Sequence, residues 1–167
     1  QYITRLGLAL GETAVLDKGK QDWLDQPHWQ VLRRYVEDTL VIQDPFELFV
    51  AQNYAFDGLL YPLIFETFVE ARLTLEGGAA VAMVTSFMND WFNESARWIN
   101  AVIKVAANES EANNHLISGW SKQWSDRAEQ ALAPIAAIAL QGQAHASLDD
   151  ARAELDARSI KNGLGHK

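Results

Sequence analysis

Apolar residues return every three or four positions along most of the chain, and no stretch alternates convincingly one by one, so the pattern predicts helices and no strand. Residues 2–24 read as helical, with a soft break expected at Gly19. Asp25-Gln26-Pro27 is a stop and restart, because proline at a first helical position forfeits no hydrogen bond. The next helix, 27–41, carries Trp29, Leu32, Val36 and Leu40 on one stripe, with Arg33, Arg34, Glu37 and Asp38 outside it. The sharpest helix start is Asp44-Pro45-Phe46-Glu47, where Asp44 is placed to cap, Pro45 takes the first helical position and Glu47 is placed to reach back to the cap's N–H. It opens a long helix that stops at Gly77-Gly78 and is apolar nearly all round between 56 and 69, so it needs cover on several sides. Pro62 predicts a kink or bulge within it.

From 79 to 107 the spacing is a heptad seam: Val81, Val84, Met88, Trp91, Ser95, Trp98, Val102 and Val105 recur alternately three and four apart. Phe92, Ile99 and Ala106 widen that seam, while Asn93, Arg97, Asn100 and Lys104 form a polar back, which points to packing in a bundle. Asn108-Glu109-Ser110 makes the turn into a helix over 111–141. This helix carries Leu116, Trp120, Trp124, Ala128, Ala131 and Leu132, with an interruption expected at Pro134. A polar helix over 147–161, capped by Ser147 with Asp150 three residues on, is expected to lie on the surface. The sum is an all-α long-helix bundle in a single domain, residues 1–167, with two antiparallel long helices joined at Gly77-Gly78. Helices apolar on more than one face exceed what 167 residues enclose, so some of that surface is expected to meet another chain or a missing half.

Composition narrows the function. Ten Gly and four Pro are too few for a turn-rich β protein. A net charge of -8 without a basic stripe argues against nucleic acid as a partner. No apolar run reaches the length of a membrane span, and residues 1–5 lack a signal peptide's pattern, so a cytoplasmic protein is expected. The lack of cysteine removes disulfides, thiolate metal sites and iron–sulfur clusters. Gln1 in place of Met reads as a processed or partial chain.

The glycine spacings contain neither a dinucleotide fingerprint nor a P-loop. A di-iron bundle needs Glu-x-x-His pairs facing inward, yet Asp25, Ala112, Gly142 and Gly163 stand three residues before His28, His115, His145 and His166. Glu66 and Glu70 share a helix face and Glu94 borders the seam, but pairing of Glu94 with Arg97 and exposure of Glu70 explain them without a metal. Asp57 reads as a buried, hydrogen-bonded carboxylate. Trp91 with Trp98, and Trp120 with Trp124, read first as core packing.

Several longer runs carry a resemblance: Leu32-Arg33-Arg34-Tyr35-Val36-Glu37-Asp38-Thr39-Leu40, Asp44 to Asn53, Asp57-Gly58-Leu59-Leu60-Tyr61-Pro62-Leu63, Gly77 to Met83, and Glu94-Ser95-Ala96-Arg97-Trp98. Over nearly its whole length the chain resembles the C-terminal half of the β subunit of the oxygenase component of multicomponent phenol hydroxylases. The resemblance implies a ferritin-like helical subunit, degenerate in that it holds no di-iron site. It implies as partners a di-iron α subunit that hydroxylates phenol to catechol with O2, a γ subunit, a second protomer of the hydroxylase dimer, and transiently an effector protein and a reductase. Electrons from NADH or NADPH would pass through the reductase's FAD and 2Fe-2S centre. If the helix from Ala79 matches a ligand-bearing helix of the catalytic paralogue, Arg97 stands where a His would ligate, and a guanidinium cannot coordinate iron. No residue is therefore expected to have a catalytic, cofactor-binding or metal role. The alternatives from the residues alone are a free-standing helical adaptor or a ferritin-like di-iron protein.

Overall fold

The computed structural model describes residues 2–165, all of whose regular structure is helical. Two short helices, α1 (Tyr2–Leu10) and α2 (Thr13–Asp25), are divided at Gly11, whose φ of +74° is open to glycine at little cost. Gly19, the expected break, lies inside α2 on an exposed surface. Pro27 starts α3 (Pro27–Thr39), as its position demands; its buried face keeps Leu32 of the predicted stripe, with Trp29 partly buried, but continues through Tyr35 and Thr39 instead of Val36 and Leu40. Val36 is partly exposed and Leu40, just past the helix end, is 76% exposed. The Tyr35 hydroxyl decides this rotation by donating to the Ala51 carbonyl (2.8 Å) inside the core.

The long helical run 45–78 begins as expected, with the Asp44 carboxylate accepting from the N–H groups of Phe46 and Glu47 and Pro45 at the first position. It alternates between tight and wide winding: α4 (Pro45–Phe49), a π segment (Val50–Phe56), α5 (Asp57–Tyr61) and a second π segment (Pro62–Gly78). The second π segment starts at Pro62, where the sequence predicts a bulge. The chain reverses at Gly77 (φ 94°) and returns through α6 (Ala79–Thr85) and α7 (Phe87–Glu109). Residues 49 and 98, 61 and 92, and 70 and 89 lie side by side, so the two arms are antiparallel.

Helix α8 (Glu111–Leu140), capped by Ser110, is the axis of the molecule and touches α3, the first π segment, α7 and α9 (Ala144–Lys161). Its buried face is small (Ser121, Ser125, Ala128, Ala131 and Ala136), which lets its neighbours come close around Trp124 and Leu132. Pro134 does not interrupt it. The bond lost there would have served the carbonyl of Gln130, which faces the exposed side where water can substitute. Helix α9 starts three residues before the predicted Ser147 cap; its polar side lies on the surface as expected, but its other face, Leu148, Ala151 and Leu155, is buried. Arg152 holds it to α8 through Asp126 (2.7 Å) and Glu129 (2.9 Å).

Candidate docking face and the adjoining cleft

The heptad row of α6 and α7 does not point into this core. Phe92, Ile99, Ile103 and Ala107 do, because that stripe faces α8 and the run 45–78. The row itself is turned aside, leaving Trp91 51%, Trp98 61% and Val105 73% exposed, with Phe87 beside it at 61%. Trp124 is buried and Trp120 partly so, whereas Trp91 and Trp98 do not pack in the core as expected. Aromatic rings from the opposite arm back the row: Phe49 meets Trp98 edge-on (5.5 Å between centroids) and Tyr61 lies 5.6 Å from Trp91. Tyr61 also stacks on Phe92 (4.9 Å, 7°), and Phe46 and Phe65 extend the series. The result is an aromatic groove between two long antiparallel helices, open on one side.

Beside this groove lies a cleft of about 540 Å³ between α5, the second π segment, α7 and α9. Its acids are Glu66, Asp90, Glu94 and Glu154, and its bases are Arg97 and Arg158. Glu94 pairs with Arg97 (2.7 Å) as the sequence suggests. Glu66 holds its proton more tightly than a free carboxyl because of partial burial and the nearby charges of Glu154 and Glu70. Arg158 lies deep in the cleft over the rings of Tyr54 (5.2 Å) and Phe92 (5.9 Å), and burial pulls its pKa below the ordinary guanidinium value. The Asn100 amide oxygen accepts from Arg158 and from Asn162, so Asn100 is a half-buried junction rather than part of a polar back. Tyr54, fully buried, completes the junction through Ser159 (2.9 Å).

The other residues singled out in the sequence do not converge. Asp57 is half-buried, bonded to Asn53, and desolvation pushes its pKa up to about 6. Glu70 is exposed and accepts from Asn89 (2.5 Å). His28 sits at the start of α3 against Trp29, away from the cleft, and Asp25 accepts instead from Gln21 (2.6 Å). His115 is exposed, His145 pairs with Asp149 on the surface, and His166 lies outside the described residues. Among the described residues no three His, Asp or Glu side chains are placed to hold a metal ion. The cleft's donors do not suit a di-iron centre, because they include no imidazole and stand among guanidinium groups that have no lone pair to give. Arg158 and Asn162 were missed in the sequence, since their partners lie 58 and 62 residues away.

A sequence model of the methane/phenol/alkene hydroxylase family matches residues 1–110. The chain belongs to that family. It is 46% identical over 166 residues to the phenol 2-monooxygenase oxygenase component DmpL of Pseudomonas sp. (strain CF600), covering 98% of this chain and 49% of that one. It is 37% identical over 166 residues to the phenol 2-monooxygenase oxygenase component MhpL of Acinetobacter pittii (strain PHEA-2), with the same coverage. The crystal structure of a xenon-pressurized phenol hydroxylase from Pseudomonas sp. OX1 superposes with a TM-score of 0.89 at 41% identity, over 100% of this chain and 50% of that one. The chain thus spans about half the length of the relatives it matches. No described helix is long and apolar enough to cross a membrane.

Proposed function

We propose that this chain is the C-terminal half of a β-type scaffold subunit in the oxygenase component of a multicomponent phenol monooxygenase. It takes no metal itself, and it packs with a di-iron α subunit in which phenol is hydroxylated to catechol with O2, alongside a γ subunit and a second protomer. An effector and a reductase carrying FAD and a 2Fe-2S centre act on the assembly transiently. The cytoplasm, where NADH and NADPH are available, is its setting.

The observation that carries this reading is the Glu94–Arg97 pair (2.7 Å) on α7. An arginine one turn after a helical glutamate occupies the offset at which di-iron bundles use histidine, and it neutralises the carboxylate instead of sharing a metal with it. Relatives named as oxygenase components of phenol 2-monooxygenase support the placement in such a complex.

Co-expression with a di-iron hydroxylase subunit tests it. Iron is expected to co-purify with the partner, and the chain on its own, loaded anaerobically with ferrous iron, is expected to retain far less than the two irons of a di-iron centre. Two irons bound tightly to the isolated chain would overturn the scaffold reading.

A further inference from the structure

We infer that the cleft beside α9 binds a small zwitterion of the α-amino-acid class, with its carboxylate on Arg158 and its ammonium group between Glu154 and Glu66. The inference goes beyond the scaffold role and does not depend on it.

Arg158 is the residue that points there. Every other half-buried arginine among the described residues, Arg33, Arg72, Arg127 and Arg152, holds a carboxylate. Arg158, set against the rings of Tyr54 and Phe92, holds none among the described residues. A guanidinium drawn out of water without a counter-ion is costly, and a bound anion removes that cost. One edge of the group is used, since Nε and Nη2 share the Asn100 amide oxygen at 3.4 and 3.3 Å. Nη1 has no acceptor among the described residues and is not sealed off from the cleft that Arg158 lines. Gly58 leaves room for it, because a Cβ there would lie 3.1 Å from Nη1. The Nη1–Nη2 edge is therefore a vacant planar fork, the shape that matches the two oxygens of a carboxylate.

The rest of the cleft has the opposite sign. Arg97 neutralises Glu94, but Glu66, Asp90 and Glu154 line the cleft with no ion pair among the described residues. Glu66 and Glu154 repel each other, and a cation between them would relieve it. Glu154 stands one helical turn before Arg158, with Cβ atoms about 5–6 Å apart at that spacing, yet the two do not pair. A bare anion in this cleft meets three uncompensated carboxylates, and a bare cation meets the guanidinium. A molecule with both charges close together satisfies both ends, and an α-amino acid carries them one carbon apart. Pro62, Phe92 and Leu155 give the cleft apolar wall, and its volume of about 540 Å³ is that of a small-molecule site, so an apolar side chain has a place.

The test is calorimetric titration of the purified protein, with any subunits that accompany it, using L-leucine, isocaproate (leucine without its ammonium group) and isoamylamine (leucine without its carboxylate). Leucine should bind saturably, at least about tenfold more tightly than either one-charge analogue. Arg158→Lys keeps the charge but loses the fork, and should weaken leucine and isocaproate alike by about tenfold or more. Glu154→Gln alters an exposed side chain that makes no hydrogen bond among the described residues, so the circular dichroism spectrum should be unchanged. That variant should weaken leucine about tenfold and leave isocaproate no weaker. Absence of saturable leucine binding would overturn the inference, as would leucine binding indifferent to Glu154→Gln. Isocaproate or inorganic phosphate binding as tightly as leucine would also overturn it, marking a site for bare anions. Iron content and subunit co-purification, which test the proposed function, are not read in this experiment, so either reading can fail alone.

Discussion

The Trp124 indole N–H donates a 2.9 Å hydrogen bond to the Glu47 carboxylate, tying the centre of α8 to the first turn of the run 45–78 across 77 residues of sequence. The spacing at 44–47 predicts that Glu47 turns back on its own helix end, but with Asp44 capping Phe46 and Glu47 the Glu47 carboxylate reaches instead to the indole in the core. Trp124 is only 3% exposed, so Glu47→Ala strands a buried donor and should destabilise the fold by about 1–3 kcal/mol. Urea unfolding followed by far-ultraviolet circular dichroism measures this, and Trp124→Phe should abolish most of the difference.

Gly58 is required for a different reason. A Cβ there would lie 3.0 Å from Leu155 Cδ1 and 3.1 Å from the Arg158 guanidinium. Gly58→Ala should push α9 off α5 and cost about 1–3 kcal/mol, despite alanine's better helix propensity. A rise in stability on thermal unfolding would contradict the close approach.

Asp57 sets a pH dependence. Its carboxyl is raised from 3.8 to about 6 by burial, so between those values the folded state holds a proton that the unfolded chain has released. Stability should therefore fall as pH rises from about 4 to 6.5 and stay lower above that, by roughly 2 kcal/mol after allowing for partial exposure. Asp57→Asn should remove this slope in denaturant midpoints measured from pH 4 to 8, and a slope that persists would assign it elsewhere.

Arg152 bonds Asp126, Glu129 and Asp156 from a side chain only 18% exposed. Arg152→Ala should cost about 1 kcal/mol, more than an isolated surface pair, because three acceptors lose one donor. The loss should shrink at 1 M salt, where charges are screened within about 3 Å; an equal loss at both ionic strengths would mark it as packing.

The sequence alone carried what depends on neighbours within a turn or two. The Asp44 cap, the helix starts at Pro27 and Pro45, the bulge at Pro62, the reversal at Gly77 and the Glu94–Arg97 pair all follow from backbone and side-chain chemistry within a few residues. The heptad row was also legible as a row, because apolar spacing along one helix is a local property. Its direction was not. Spacing states that residues share a face but not which neighbour that face meets, and here the small residues of α8 drew the Phe92–Ile99–Ile103 stripe inward and left Trp91 and Trp98 outside. The same dependence on distant partners hid the Arg158–Asn100–Asn162 junction, rotated α3 onto Tyr35 and buried a face of α9 that its charged residues concealed. Local sequence determined where the helices start and turn, whereas which faces became core and which stayed exposed was decided only when helices far apart in sequence competed for the same apolar volume.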